Sequence, residues 1–138
     1  MKKLISLLLA ALLALGCTGA VAENMIVHIH ALCYDLNHIG TKWQAAYSIG
    51  GLEVYDGMVL DMEAATYDFH TEIGEYDTTP DIGTADSSFN VTASRLSKGF
   101  TVEQYLTVTE NKGVYKDYWC EWYITYEFTP VGAAYVLN

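Results

Sequence analysis

The chain has 138 residues, of which 17 are acidic and 7 basic, so its formal net charge is −10. This balance argues against a protein that binds nucleic acid, because phosphate contacts need basic side chains. It argues equally against electrostatic attachment to an anionic membrane. The length fits one domain that can bury a core of its own.

Residues 1–22 have the composition of a signal peptide. Lys2 and Lys3 precede an apolar run, and the small-x-small pattern Ala20-Val21-Ala22 follows it. The apolar run is shorter than the ~20 residues that span a bilayer, and no later segment is longer, so we expect no transmembrane segment. We therefore predict cleavage after Ala22 and a secreted domain over residues 23–138.

Cleavage would remove two lysines and no acid, which leaves five basic residues against 17 acidic ones and a formal charge of −12. An alternative is a lipoprotein acylated at Cys17. The leucine of the usual lipobox is displaced by one position there, to Leu15.

Apolar and polar residues alternate through most of the remaining chain. In residues 26–33 the odd positions are apolar, and in residues 119–128 the even positions are. The same period of two recurs in five further stretches: 43–49, 58–62, 67–73, 89–93 and 102–108. Such alternation predicts antiparallel strands with one buried face. The fold class is therefore all-β, an antiparallel β-sandwich of seven or eight strands, C-two-like or immunoglobulin-like.

Two details of this sandwich are predicted from local signals. Asp56-Gly57 is typical of a tight β-hairpin, with 52–55 and 58–62 as its arms. Residues 94–98 suit a single helical turn between strands. No longer segment has the period of a helix.

Two cysteines remain after the signal peptide, Cys33 and Cys120. Each falls on the apolar side of its strand, so both are expected to point into the core. A disulfide between them is allowed in an oxidising compartment and would contribute on the order of 4 kcal/mol to stability. The alternative is two buried free thiols.

The chain contains two similar acidic stretches, "YDLNHIGT" at 34–41 and "YDTTPDIGT" at 76–84. Each follows a predicted strand and precedes another. If the incoming strands run in the same direction, both turns lie at one end of the sandwich and gather oxygen ligands of the kind that Ca²⁺ requires. The predicted metal ligands are Asp35, Asn37, Glu75, Asp77 and Asp81. The alternative is purely structural turns, in which Asp and Asn are common.

The stretches "LCYDLNHIGTKW" and "TEIGEYDTTPDIG" resemble the C-two domain, the calcium- and phospholipid-binding module of synaptotagmin and protein kinase C. On that pattern Asp35 matches the first-loop acid. Glu75 and Asp77 match the family's Asp-x-Asp pair, and Asp81 matches its closing acid. The resemblance, over about residues 26–92, implies an eight-stranded sandwich that binds Ca²⁺. Glu75 departs from the family's Asp, and the position of a second first-loop Asp falls near Lys42.

Two other groups of side chains are candidate sites. His28 and His30 share one strand face and could begin a transition-metal site with His70, although exposed histidines without a metal are more common. Four aromatic residues fit the inward-facing parity poorly and form a candidate patch for a protein or glycan partner: Tyr115, Tyr118, Trp119 and Tyr123.

No nucleophile elbow, zinc-protease motif or phosphate-binding loop is present in the sequence. We therefore expect a non-enzymatic, secreted binding or accessory module for a protein, glycan or lipid ligand, with possible dependence on Ca²⁺. The alternative is a metal-free, immunoglobulin-like structural or adhesion domain that works through the aromatic patch. A hydrolase that uses a pair of acids is the third hypothesis.

Overall fold

The structure is a computed structural model that describes residues 22–114 and 117–132. The predicted signal peptide, Cys17 and Tyr115 lie outside the described residues, apart from Ala22. The described part of the chain contains no helix with the length and hydrophobicity that a membrane crossing requires.

Eight strands form two four-stranded antiparallel sheets that pack face to face, which confirms the predicted all-β sandwich. The strands are β1 (Glu23–Asn37), β2 (Trp43–Ile49), β3 (Leu52–Val54), β4 (Met58–Met62), β5 (Ala65–Glu75), β6 (Asp81–Val91), β7 (Phe100–Thr109) and β8 (Trp119–Pro130). The first sheet has the order β4-β1-β8-β7, and the second has the order β3-β2-β5-β6. Each sheet buries one face, as the alternation in sequence requires.

The core between the sheets is built from the apolar side of every strand. Its largest fully buried side chains include Tyr126, Phe69 and Phe128. The ring of Phe69 meets that of Tyr126 edge to face, with the two centroids 5.2 Å apart, an arrangement that aromatic pairs favour. The rings of Phe100 and Phe128 stack at 4.4 Å.

A buried polar network crosses this core. Thr71 Oγ1 donates to Oε1 of Gln104 at 2.6 Å and lies 2.5 Å from the hydroxyl of Tyr126. Gln104 Nε2 in turn donates to the carbonyl of Phe69 at 3.1 Å and to Oγ of Ser87 at 2.8 Å. Burial raises the pKa of Tyr126 to about 12. Because its members satisfy one another, the network joins the two sheets without leaving unpaired polar groups there.

The predicted hairpin at Asp56-Gly57 is wrong, because its two arms belong to different sheets. β3 pairs with β2, whereas β4 pairs with β1. The connection between them is held to β1: Gly57 N donates to the carbonyl of Val27 at 2.8 Å, and Asp56 Oδ1 accepts from Ile29 N at 3.0 Å. The turn therefore carries the chain from one sheet to the other.

The short helix predicted near 94–98 is confirmed as α1, Ala93–Lys98. Thr92 caps its first turn by accepting a hydrogen bond from Arg95 N at 3.3 Å. Leu96 is the residue that the helix buries against the sandwich.

The predicted disulfide between Cys33 and Cys120 is confirmed, with 6.5 Å between the two Cα atoms. It joins β1 to β8, which are neighbours in the first sheet. Cys120 is fully buried and Cys33 is half-buried. A register shift between Cys33 and Asp35 marks a bulge in β1 beside the bridge.

Candidate cation site at the loop end of the sandwich

Two of the loops meet at one end of the sandwich. The loop after β1 leads into β2, whose first residue, Trp43, pairs with Glu75 at the end of β5. The contact continues past the strands, since Tyr76 N donates to the carbonyl of Lys42 at 2.8 Å. The loops 38–42 and 76–80 are therefore neighbours.

Glu75 is the most deeply buried acid in this region, with 1% of its surface exposed. Its Oε1 accepts a hydrogen bond from Lys42 N at 3.2 Å. Its Oε2 is buried and has no hydrogen-bond partner among the described residues. Gly40 makes room for the carboxylate, because a Cβ at that position would collide with Oε1. A buried carboxylate oxygen without a donor is costly, so this group calls for a cation or a proton.

Asp81 lies directly opposite Glu75 at the start of β6. It is 3% exposed, and its Oδ2 is likewise buried without a partner among the described residues. Two acids that face each other across neighbouring strands destabilise the pair unless a positive charge lies between or beside them.

Glu110 brings a third carboxylate to this cluster. It begins the 3₁₀ helix Glu110–Gly113, directly after β7, and its main-chain N donates to the carbonyl of Tyr118 at 2.9 Å. Desolvation raises the pKa of Glu110, and the negative charges of Asp81, Asp77 and Glu75 raise it further. Sequence reasoning missed Glu110 because it belongs to neither repeated stretch. The one indication in the sequence was that Glu110 comes just after a predicted strand, where a loop begins.

Asp77 lies at the exposed rim of the same cluster. Its Oδ1 accepts from Thr79 N at 2.8 Å, the local turn contact that Asp commonly makes. We name the group formed by Glu75, Asp77, Asp81 and Glu110 the loop-end cluster.

Asp35 and Asn37 were predicted to be metal ligands, but they lie outside the loop-end cluster. The expected turn at Asp35 is wrong, because β1 continues to Asn37 through the bulge. Asp35 pairs with Glu121 on the outer face of the first sheet, and the amide of Asn37 donates to the carbonyl of Asp117. The two similar stretches thus adopt different conformations.

The histidines do not form the three-residue site considered above. His28 lies on the outer face of the first sheet and bonds Asp56 at 3.2 Å, whereas His70 lies on the outer face of the second and bonds Asp86 at 2.7 Å. Over residues 22–114 and 117–132, no three His, Cys, Asp or Glu side chains are arranged closely enough to hold a metal ion as they stand.

The predicted aromatic patch divides between a loop and a sheet face. Tyr118 lies in the loop before β8, with its ring centroid 5.5 Å from that of His38. Trp119 and Tyr123 both lie on the outer side of β8. The ring of Tyr123 stacks on that of Tyr105 of β7, with centroids 4.9 Å apart. Sequence reasoning missed Tyr105 because it lies on a different strand.

In chemical terms, the loop-end cluster offers hard, negatively charged oxygen atoms in a partly desolvated position. Such oxygens suit Ca²⁺ better than a soft metal ion. No family model matches this chain, and no match to it was found among curated proteins or solved structures.

Proposed function

We propose that this protein is a small secreted, non-enzymatic binding module that holds Ca²⁺ at the loop-end cluster. The observation that carries the proposal is the pair of buried carboxylate oxygens, Glu75 Oε2 and Asp81 Oδ2, which have no partner among the described residues. Glu75, Asp81 and Glu110 supply the ligands, and Asp77 supplies negative charge at the rim.

The physical case rests on charge. Four acids in one cluster repel one another, and the burial of Glu75 and Asp81 makes the repulsion between those two stronger than it is in water. A divalent cation offsets this repulsion and satisfies the lone pairs that lack donors. Because the carboxylates are not yet arranged as ligands, binding has to draw them together. The loops 38–42 and 76–80 are then fixed relative to each other.

We expect the loops 38–42 and 76–80 to become more ordered when calcium binds. Glu75 contacts the loop after β1 through Lys42 N, so an ion bound to Glu75 also orders that loop. Extracellular calcium modules bind with dissociation constants of about 10⁻⁴–10⁻³ M. We expect an affinity in that range, since much of the binding free energy is used to bring the acids together.

The test is a calcium titration of residues 23–138, first freed of metal with a chelator. Isothermal calorimetry gives the affinity, and the melting temperature gives the stabilisation. The double variant E75Q/D81N should abolish both signals. Asp61→Asn removes one charge from the exposed side of β4 and should leave both unchanged. Equal responses in wild type and double variant would refute the site.

A further inference from the structure

The outer face of the first sheet combines exposed tyrosine rings with carboxylates. Tyr105 on β7 is 63% exposed and Tyr34 on β1 is 52% exposed. Tyr105 stacks on Tyr123 of β8, with centroids 4.9 Å apart and planes 29° apart. We name the surface formed by Tyr34, Tyr105, Tyr123, Glu103 and Glu121 the tyrosine face.

One acid of the tyrosine face, Glu103, is held by a tyrosine hydroxyl. Tyr123 donates to Oε1 of Glu103 at 2.5 Å, and that hydrogen bond raises the pKa of Tyr123. The hydrogen bond to Glu121 likewise raises the pKa of Tyr34, and the nearby Tyr105 adds to the effect. The hydroxyl of Tyr123 therefore places Glu103 beside the stacked rings of Tyr105 and Tyr123.

Within the described residues, no lysine or arginine lies on this face, and His28, opposite Glu127, and His30 are its basic side chains. Asp35 and Glu127 add further acids to the same side of β1 and β8. The lysine and arginine side chains that the structure describes lie elsewhere: Lys42 in the loop before β2, and Arg95 and Lys98 on α1.

The outer face of the second sheet provides an internal comparison. It also carries acids, among them Glu53, Asp68 and Asp86, and Asp68 and Asp86 accept hydrogen bonds from Ser88 and His70. This side of the molecule also has an exposed tyrosine, Tyr55 at 66%, but it lies beyond the end of β3, whereas Tyr34 and Tyr105 lie within strands of the first sheet. Contiguous exposed apolar surface, such as adjacent aromatic rings, marks interaction sites on proteins, whereas single exposed apolar side chains are common.

We propose that the tyrosine face binds a basic segment of a partner protein, with arginine side chains stacked on Tyr105 and Tyr34 and paired with Glu103 and Glu121. Charge complementarity selects this occupant. A guanidinium group stacks on an aromatic ring and bonds a carboxylate at the same time, so the observed pairs of ring and acid suit arginine better than lysine. The same negative charge repels acidic glycans and anionic lipids.

The experiment uses a fluorescent octapeptide in which glycine and arginine alternate, with fluorescence anisotropy as the measurement. The protein is residues 23–138 in buffer with chelator, so that the result is independent of the loop-end cluster. We expect saturable binding that weakens about tenfold in Tyr105→Ala, because this variant loses a cation–π contact together with the ring surface that supports it. The variant E103Q/E121Q should weaken binding at least as much.

The matched control is E53Q/D68N, which removes two charges from the outer face of the second sheet. It should change the affinity less than twofold. A peptide with citrulline in place of arginine keeps the shape without the charge and should not bind. An equal loss in the two double variants would overturn the proposal, since the attraction would then be non-specific. Binding of the citrulline peptide, or of neutral cello- or chito-oligosaccharides with the same dependence on Tyr105, would overturn it in favour of a neutral ligand.

Discussion

The main-chain nitrogen of Lys42 donates a hydrogen bond to Oε1 of Glu75 at 3.2 Å. One carboxylate oxygen of a buried acid thereby holds the loop after β1, while its other oxygen has no partner among the described residues. Glu75 is thus both a structural contact and a source of electrostatic strain. Those two roles make opposite contributions to stability, and variants at this position separate them.

Glu75→Gln should stabilise the metal-free protein and remove its response to calcium. Glutamine keeps an oxygen that accepts from Lys42 N, while its amide nitrogen can donate to Asp81 across the strand pair. The loss of one negative charge from the loop-end cluster should raise the free energy of unfolding by about 1 kcal/mol. Urea unfolding with and without Ca²⁺ measures both effects. A destabilised variant that still responds to calcium would show that Glu75 is not a ligand.

Gly40→Ala should destabilise the protein, because the added Cβ would collide with Oε1 of Glu75. The carboxylate is buried and cannot move aside freely, so we expect a loss of about 1–3 kcal/mol, the usual cost of overpacking. Gly132→Ala is the matched control, since a Cβ there meets nothing within 4 Å. Similar free energies of unfolding in the two variants would mean that the loop is not packed against Glu75.

Asp56 should contribute to stability at neutral pH and lose that contribution in acid. The hydrogen bond from Ile29 N lowers the pKa of Asp56 below its ordinary value of 3.8, and His28 lowers it further. A folded-state pKa below the unfolded value stabilises the protein above pH 3.8, and this effect disappears as the pH falls through the folded pKa. Asp56→Ala should therefore be less stable than wild type at pH 7.

The difference in melting temperature between wild type and Asp56→Ala should shrink as the pH falls from 5 towards 2. Asp56→Asn keeps an oxygen that accepts from Ile29 N, so it should lose less stability at pH 7 than Asp56→Ala does. A difference that stays constant over this range would exclude the proposed role of the ionised carboxylate.

Reduction of the bridge between Cys33 and Cys120 should lower the melting temperature. The bridge closes a loop with a sequence separation of 87 residues, and the removal of a native disulfide from a small domain typically costs about 2–5 kcal/mol. Thermal melts with and without a phosphine reductant, with mass spectrometry to count free thiols, provide the measurement. An unchanged melt of fully reduced protein would show that the bridge adds nothing to stability.

The strands were predictable because each buries one face, so apolar side chains recur at every second position. Val27 and Ile124 follow that rule directly. The bulge beside Cys33 breaks it, since one extra residue turns Asp35 to the outer face. A sequence pattern of period two carries no sign of such a register shift.

The candidate site was predictable in part. Glu75 and Asp81 were identified from the second acidic stretch, and the structure brings them together with Asp77. Glu110 was missed because it reaches the cluster only through the packing of β7 beside the second sheet. Tyr105 was missed for the same kind of reason, because its partner Tyr123 lies on a neighbouring strand.

Binding of Ca²⁺ at the loop-end cluster is tested most directly by the melting temperature of metal-free residues 23–138 as Ca²⁺ is raised to 10 mM. At a dissociation constant of about 0.1 mM this concentration would stabilise the folded state by about 2.7 kcal/mol, a rise of several degrees. We expect that rise in wild type and in Asp61→Asn, and none in E75Q/D81N. A wild-type melting temperature that does not move with Ca²⁺ would contradict the proposed binding.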